Sequence, residues 1–167
     1  MSLSLGIDEL IGYTSGERTK WEQWFADQPR AALESAVQPK GSRFPTVWPL
    51  MDHIFLTEKR HTQRLKRVSP VDEHTGVSDL DVSAMFAYGR ATREELTDFV
   101  HSTPDSALGW TLEFDLGDQL YKFTARKLAY HIFFHEIRHW AQIAAAVRSA
   151  GFTPSGRHDF LFTSAME

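Results

Sequence analysis

His131, His135 and His139 recur every four residues in the segment Tyr130–Gln142, YHIFFHEIRHWAQ. On a helix a four-residue step turns by about 40° and rises about 6 Å, so the three imidazoles form one stripe. Two neighbours in such a stripe suit a single divalent cation, because each neutral ring offers a nitrogen lone pair. The plain alternative is three packing or surface histidines without a metal. The chain has eight histidines and no cysteine. A disulfide framework, an iron–sulfur cluster, a cysteine nucleophile and a thiolate zinc site are thereby excluded, which fits a reducing compartment.

On the residues alone, several metal chemistries stay open. His135-Glu136-Ile137-Arg138-His139 matches the His-Glu-x-x-His pattern of zinc proteases, with Glu136 as the general base. A protease of that type needs a third ligand, and downstream only His158, Asp159 and Glu167 are on offer, all in a short tail. A ferritin-like di-iron site needs two Glu-x-x-His pairs and one further Glu from each of two other helices. Glu58 with His61 and Glu136 with His139 supply the pairs, and Glu17 or Glu22 with Glu94 or Glu95 would complete the set. Glu58 and His61 fall on the apolar stripe of their helix between Ile54 and Leu65, but His135 then has no role.

The elements that must position these residues are four long helical patterns. The first covers about Leu5 to Asp27, with a short extension from Pro29 to Ala36. The second runs from about Pro45 to Val68, with Val47, Leu50, Met51, Ile54, Phe55, Leu65 and Val68 near helical spacing. The third runs from about Asp81 to His101 and ends before Pro104. The fourth opens at Thr124, a good N-cap type, and runs to about Ala150, with Gly151 just past its end. Trp110–Phe114 and Leu120–Phe123, separated by Gly117-Asp118, predict a small hairpin. The tail from Phe152 to Glu167 carries Phe160, Leu161, Phe162 and Met166 and is expected to pack on the body. The expected fold is all-α, one domain over residues 1–167: a four-helix bundle with a small β-hairpin before the last helix.

The order of these segments resembles the DinB-like superfamily of small bacterial four-helix proteins. The second helix carries Asp52-His53-Ile54-Phe55-Leu56-Thr57-Glu58, a His with a Glu five residues on. The last helix carries His135-x3-His139 followed by Gln142, then Gly151-Phe152-Thr153-Pro154 and Asp159-Phe160. Trp140 and Ala141 stand where Arg and Gly are usual, which leaves the ligand positions intact and alters the packing or pocket shape around them. The resemblance implies metal ligands at His53, His135 and His139, holding one divalent ion (zinc, nickel or iron) with water in the remaining positions. Three protein ligands and an open position are the arrangement of a catalytic zinc site rather than a structural one. The resemblance further implies a low-molecular-weight thiol and a small-molecule substrate, as in thiol-dependent transferases, or a hydrolase acting through water, and a homodimer. In either case Glu136 is a general base, or else points to a neighbouring helix. His131, Glu58, Trp48 and Gln142 are the candidates to back the ligands or line the pocket. A helical bundle that binds metal without catalysis is the alternative.

Composition bounds the rest. The chain has 167 residues, 42% of them apolar, and a formal net charge of −4. That is enough for one buried core and gives no electrostatic footprint for nucleic acid or an anionic membrane. The N-terminus has no basic segment followed by an apolar one, so no secretory signal is expected, and no apolar run is long enough to span a membrane. A cytoplasmic location follows as an expectation. Lys59, Arg60, Arg64, Lys66 and Arg67 read as a solvated face. Arg126, Lys127 and Arg138 are helix-surface charges by default, with an anionic substrate as the alternative. The tryptophans read as core or interface anchors, and Trp48 and Trp140 as walls of the proposed pocket. No glycine-rich phosphate loop and no Gly-x-Ser-x-Gly elbow is present.

Overall fold

Residues 5–37, 43–70, 75–77, 80–115, 119–154 and 156–165 are described by the computed structural model. Four long helices carry the fold: α1 (Ile7–Ala26), α3 (Val47–Leu65), α4 (Val82–Ser102) and α5 (Ala125–Ser149), with a single-turn α2 (Arg30–Leu33) after the first. A two-stranded antiparallel sheet, β1 (Thr111–Asp115) with β2 (Leu120–Thr124), stands directly before α5, with Leu112 opposite Phe123 and Phe114 opposite Tyr121. The four-helix architecture and the hairpin are those expected; the Gly117-Asp118 turn lies outside the described residues.

Local chemistry sets the helix ends. Thr124 caps α5 by accepting from the Lys127 N–H, and Asp81 caps α4 by accepting from the Ala84 N–H, each satisfying a first-turn donor. Gly151 adopts φ +89°, and the Phe152 N–H bonds back to the Val147 carbonyl, which closes α5. Helix α3 is shorter at both ends than the periodicity suggests. Thr46 is extended and bridged to Ala36, and Arg67 takes φ 58°. The five-residue 3-10 helix Asp105–Gly109 and the shorter one at Phe160–Phe162 were not anticipated.

Helix α3 packs on α4 and α5, and α1 on the same two helices. One apolar cluster gathers Trp21, Phe25, Phe55, Phe86 and Trp140, where the Trp21 and Trp140 rings stack at 5.6 Å. A second gathers Leu10, Leu65, Leu96, Leu128 and Phe133, and Trp110, Leu112 and Phe114 of the hairpin segment pack against it. The tail lies along α1. Trp24 donates to the Thr153 carbonyl, His158 bonds Glu17 and stacks on Trp21, and Phe160 meets Tyr13 edge to face. Met166 is outside the described residues.

Where the two clusters meet, each long helix contributes one buried charge. Glu136 of α5 accepts from Arg18 of α1 at 2.7 Å through each of its oxygens and from Arg93 of α4 at 2.6 Å. Glu58 of α3 accepts from Arg93 at 2.7 Å and from Arg18. Arg18 lies over Phe55 of one cluster and Arg93 over Phe133 of the other. Two cations and two anions sum to zero, and each makes several charge-assisted bonds, which is what a buried ionic group requires. Burial opposes the charge on Glu58, but Arg18 and Arg93 outweigh it and hold its carboxyl below the usual range. Burial likewise opposes the charge on Arg18, and Glu136 and Glu58 more than offset it.

Arg18 also donates to the carbonyl of Gly89 at 2.9 Å, and a Cβ at Gly89 would come within 2.7 Å of the Phe55 ring. Phe55 is fully buried and has no room to yield. Gly89→Ala is therefore expected to destabilise the fold: overpacking costs about 1–3 kcal/mol, more than the ~1 kcal/mol alanine returns in a helix interior. Urea unfolding checks this, and a gain in stability would show that Phe55 can move.

Candidate metal centre

On α5, His135 and His139 are one turn apart and both buried. Helix α3 packs against that face and brings in His53, which is half-buried. The three rings converge through the same atom. His135 Nε2 lies 3.0 Å from His139 Nε2 and 3.1 Å from His53 Nε2. Protons alone do not satisfy this arrangement, since one N–H on His135 serves one neighbour and leaves the other contact unmade. Two nitrogens held at about 2.0–2.1 Å from one ion, at angles between octahedral and tetrahedral, stand about 2.9–3.4 Å apart. The observed spacing falls in that interval. Among the described residues this is the one group of three or more ligand-type side chains close enough to share an ion.

The outer nitrogens are engaged as well. His139 Nδ1 is 2.5 Å from Gln142 Oε1, so Nδ1 carries the proton and Nε2 keeps its lone pair. His53 Nδ1 is 3.2 Å from the Thr57 hydroxyl. Such outer partners orient ligand histidines and fix their tautomer. The rings resist protonation. Burial, then the positive charge of neighbours including Arg43, Arg138 and Arg60, pushes His53 down to about 4. Burial and the adjoining rings push His135 to about 2. Burial lowers His139 too, against the bond to Gln142. All three are neutral at physiological pH, the state a metal ligand needs.

His53 opens onto a cavity of about 600 Å³ whose walls include Arg43, Phe44, Trp48, Asp52, Leu56 and Arg60. Pro49, Asp52, His53, Leu56 and Arg60 form a single face of α3, and Gly76 and Val77 also line the cavity. Asp52 accepts from both the N–H and the hydroxyl of Thr75. Trp48 stands in the cavity wall and Gln142 behind His139.

Other anticipated residues are elsewhere. Glu136 faces the core, where both oxygens are taken by Arg18, Arg93 and the Trp140 N–H. Of its two alternatives, base or helix bridge, the structure has the bridge. Glu58 belongs to the same quartet and does not line the cavity. A di-iron arrangement thus finds its two central carboxylates neutralised by arginine. A protease arrangement lacks its base, and its tail candidate His158 is bound to Glu17. Trp140 packs in the core against Trp21 and Phe86 rather than walling the histidine pocket. His131 is exposed, 5.6 Å ring to ring from His135, and borders a separate cavity of about 300 Å³ with His61, Phe114 and Phe123. In the basic run, Lys59 pairs with Glu95, while Arg64 and Arg67 lie over Phe114 and Trp110. Arg60 is the exception and lines the cavity. Arg43 and Phe44 were not singled out from the sequence, and Asp52 and Arg60 were not named as site residues. Once His53 is placed, steps of three and four residues along its helix reach Leu56 and Arg60, and a step of four back from Leu56 reaches Asp52.

Comparison with known proteins agrees with this architecture. YfiT from Bacillus subtilis, described as a probable metal-dependent hydrolase with an unusual four-helix bundle topology, superposes with a TM-score of 0.68 at 17% identity, covering 92% of this chain and 94% of its own. A DinB-like protein, YjoA, also from Bacillus subtilis, superposes with a TM-score of 0.60 at 17% identity, covering 90% of this chain and 97% of its own. No curated protein matches the sequence. No helix among the described residues is long and apolar enough to cross a membrane. The DinB family pattern matches residues 1–166, essentially the whole chain, and the protein with the three converging imidazoles belongs to the DinB family.

Proposed function

We propose that the protein is a divalent-metal-dependent enzyme acting on a small molecule in the cavity beside His53, with His53, His135 and His139 as the metal ligands. The observation that carries this is the convergence of three neutral Nε2 atoms at 3.0 and 3.1 Å, one of them on His53, which lines an open cavity. Imidazole donors suit zinc, nickel or iron. A divalent ion held there supplies Lewis acidity, which lowers the pKa of a coordinated water or thiol toward neutrality. The chain's own residues do the rest. Gln142 and Thr57 hold the ligand rings in orientation, and Phe44 and Trp48 present flat apolar surface to the substrate. With Glu136 committed to the core, Asp52 is the carboxylate that remains in the cavity to handle a proton. Three protein ligands leave room for exogenous ones, which favours catalysis over a closed structural site. Hydrolysis is favoured by the likeness to YfiT, described as a probable metal-dependent hydrolase; transfer to a low-molecular-weight thiol is the second reaction the same centre would support. The same proposal places the protein in the cytoplasm, where such thiols are kept reduced, and makes it a homodimer, for which Phe134, 54% exposed on α5, offers an apolar contact.

Elemental analysis of protein purified without chelating resin tests the metal site. About one zinc, nickel or iron per chain is expected, and its loss in the His135→Ala, His139→Ala double variant. A parent chain that holds no metal after reconstitution with any of the three would overturn the proposal.

A further inference from the structure

We propose that the cavity beside the histidines selects substrates carrying an oxyanion, a carboxylate or a phosphate, and that Arg43 and Arg60 are the residues that recognise it. The proposal rests on the function given above only in taking this cavity as the substrate site. Both guanidinium groups line it. Elsewhere Arg18, Arg30, Arg90, Arg93 and Arg126 are ion-paired with carboxylates, and Arg64, Arg67 and Arg157 lie over aromatic rings. Arg43 lies over the Phe44 ring of the cavity wall, and among the described residues no carboxylate pairs with it or with Arg60. The Nε of Arg60 is buried and finds no acceptor, a cost that a bound acceptor would remove. The one acidic side chain in the cavity wall, Asp52, already receives two bonds from Thr75. A third cation, Arg138, places its Nη2 3.4 Å from His139 Nε2.

Unpaired cations around donors for another cation are mutually unfavourable. An anion bound between them relieves the repulsion, and the guanidinium fork matches carboxylate and phosphate oxygens in pairs. Phe44 stacks on the His53 ring at 4.4 Å, and Trp48 lines the same cavity, so a planar body carrying the anion fits the walls.

The test is calorimetric titration of the full chain with benzoate, phenyl phosphate and the neutral isostere benzamide. Each is run on zinc-loaded and on chelator-stripped protein, with zinc content measured in parallel. Benzoate or phenyl phosphate is expected to bind at least tenfold more tightly than benzamide, and the tighter of the two identifies the oxyanion. The Arg43→Gln, Arg60→Gln double variant should lose at least tenfold in both forms while its zinc content is unchanged. Arg126→Gln, which removes the same charge at the surface, should bind as the parent does. Equal binding of benzamide, undiminished binding by the double variant, or no binding of either anion overturns the proposal. A chain that takes no zinc, nickel or iron yet binds anions through these arginines refutes the metal function and leaves this one standing. Anion binding that needs zinc and ignores the arginines does the reverse.

Discussion

Replacing Arg93 by methionine is expected to cost about 3–5 kcal/mol, because it leaves a buried carboxylate without its compensating charge. For a chain of this length that corresponds to a fall in Tm of about 6–20 °C. Arg93 is 6% exposed and bonds Glu58, Glu136 and Thr14 at once. Methionine keeps much of the volume and removes the charge, so the loss is electrostatic rather than steric. Adding Glu58→Gln to the same chain restores charge balance and should recover part of the loss. Thermal and urea unfolding of the two variants decide the matter: a single variant within 1 kcal/mol of the parent, on the order of an ordinary surface substitution, would show that the quartet contributes little. The parent's pH dependence has a definite sign. The Glu58 carboxyl is held down in the folded state, so its contribution is complete above the ordinary carboxylate value of about 4.3 and is lost as pH falls below it.

A second large effect is expected at Gln142. Its side chain contacts the His139 ring and is exposed. Gln142→Leu should leave the fold intact and weaken metal binding by about 10–100-fold, the usual consequence of removing an outer partner of a ligand histidine. Competition against a chelating dye measures it. Unchanged affinity would mean that packing alone orients His139.

Two of the three converging histidines were legible from a single rule, the four-residue step that puts His135 and His139 on one helix face. His53 was not. It lies on the flank of the apolar stripe of α3 rather than its centre, and only the family resemblance distinguished it from His61. Three-dimensional packing makes the distinction, since α3 and α5 cross so that His53 meets His135 while His61 stands beside His131. The helices themselves were legible because apolar periodicity dominates each one. Their ends were less so, because an isolated bridge at Thr46 and a left-handed Arg67 depend on residues the helix does not contain. The buried arginines left the faintest trace. Arg18 and Arg93 look like surface charges in isolation. The signal lay with their partners: a glutamate such as Glu58, placed on an apolar stripe, needs a countercharge from another helix, and a metal was only one way to supply it.

That quartet also bears on the order of events during folding. Its bonds join residues separated by 118, 40, 43 and 35 positions, and the imidazole pair His53–His135 spans 82. Helical bundles gain speed from local contacts, but these closures are distant and come at the entropic cost of long loops. Helix α5 takes part in both features and is the last long element of the chain. A nascent chain therefore has neither the balanced quartet nor the joined imidazoles until that helix has emerged.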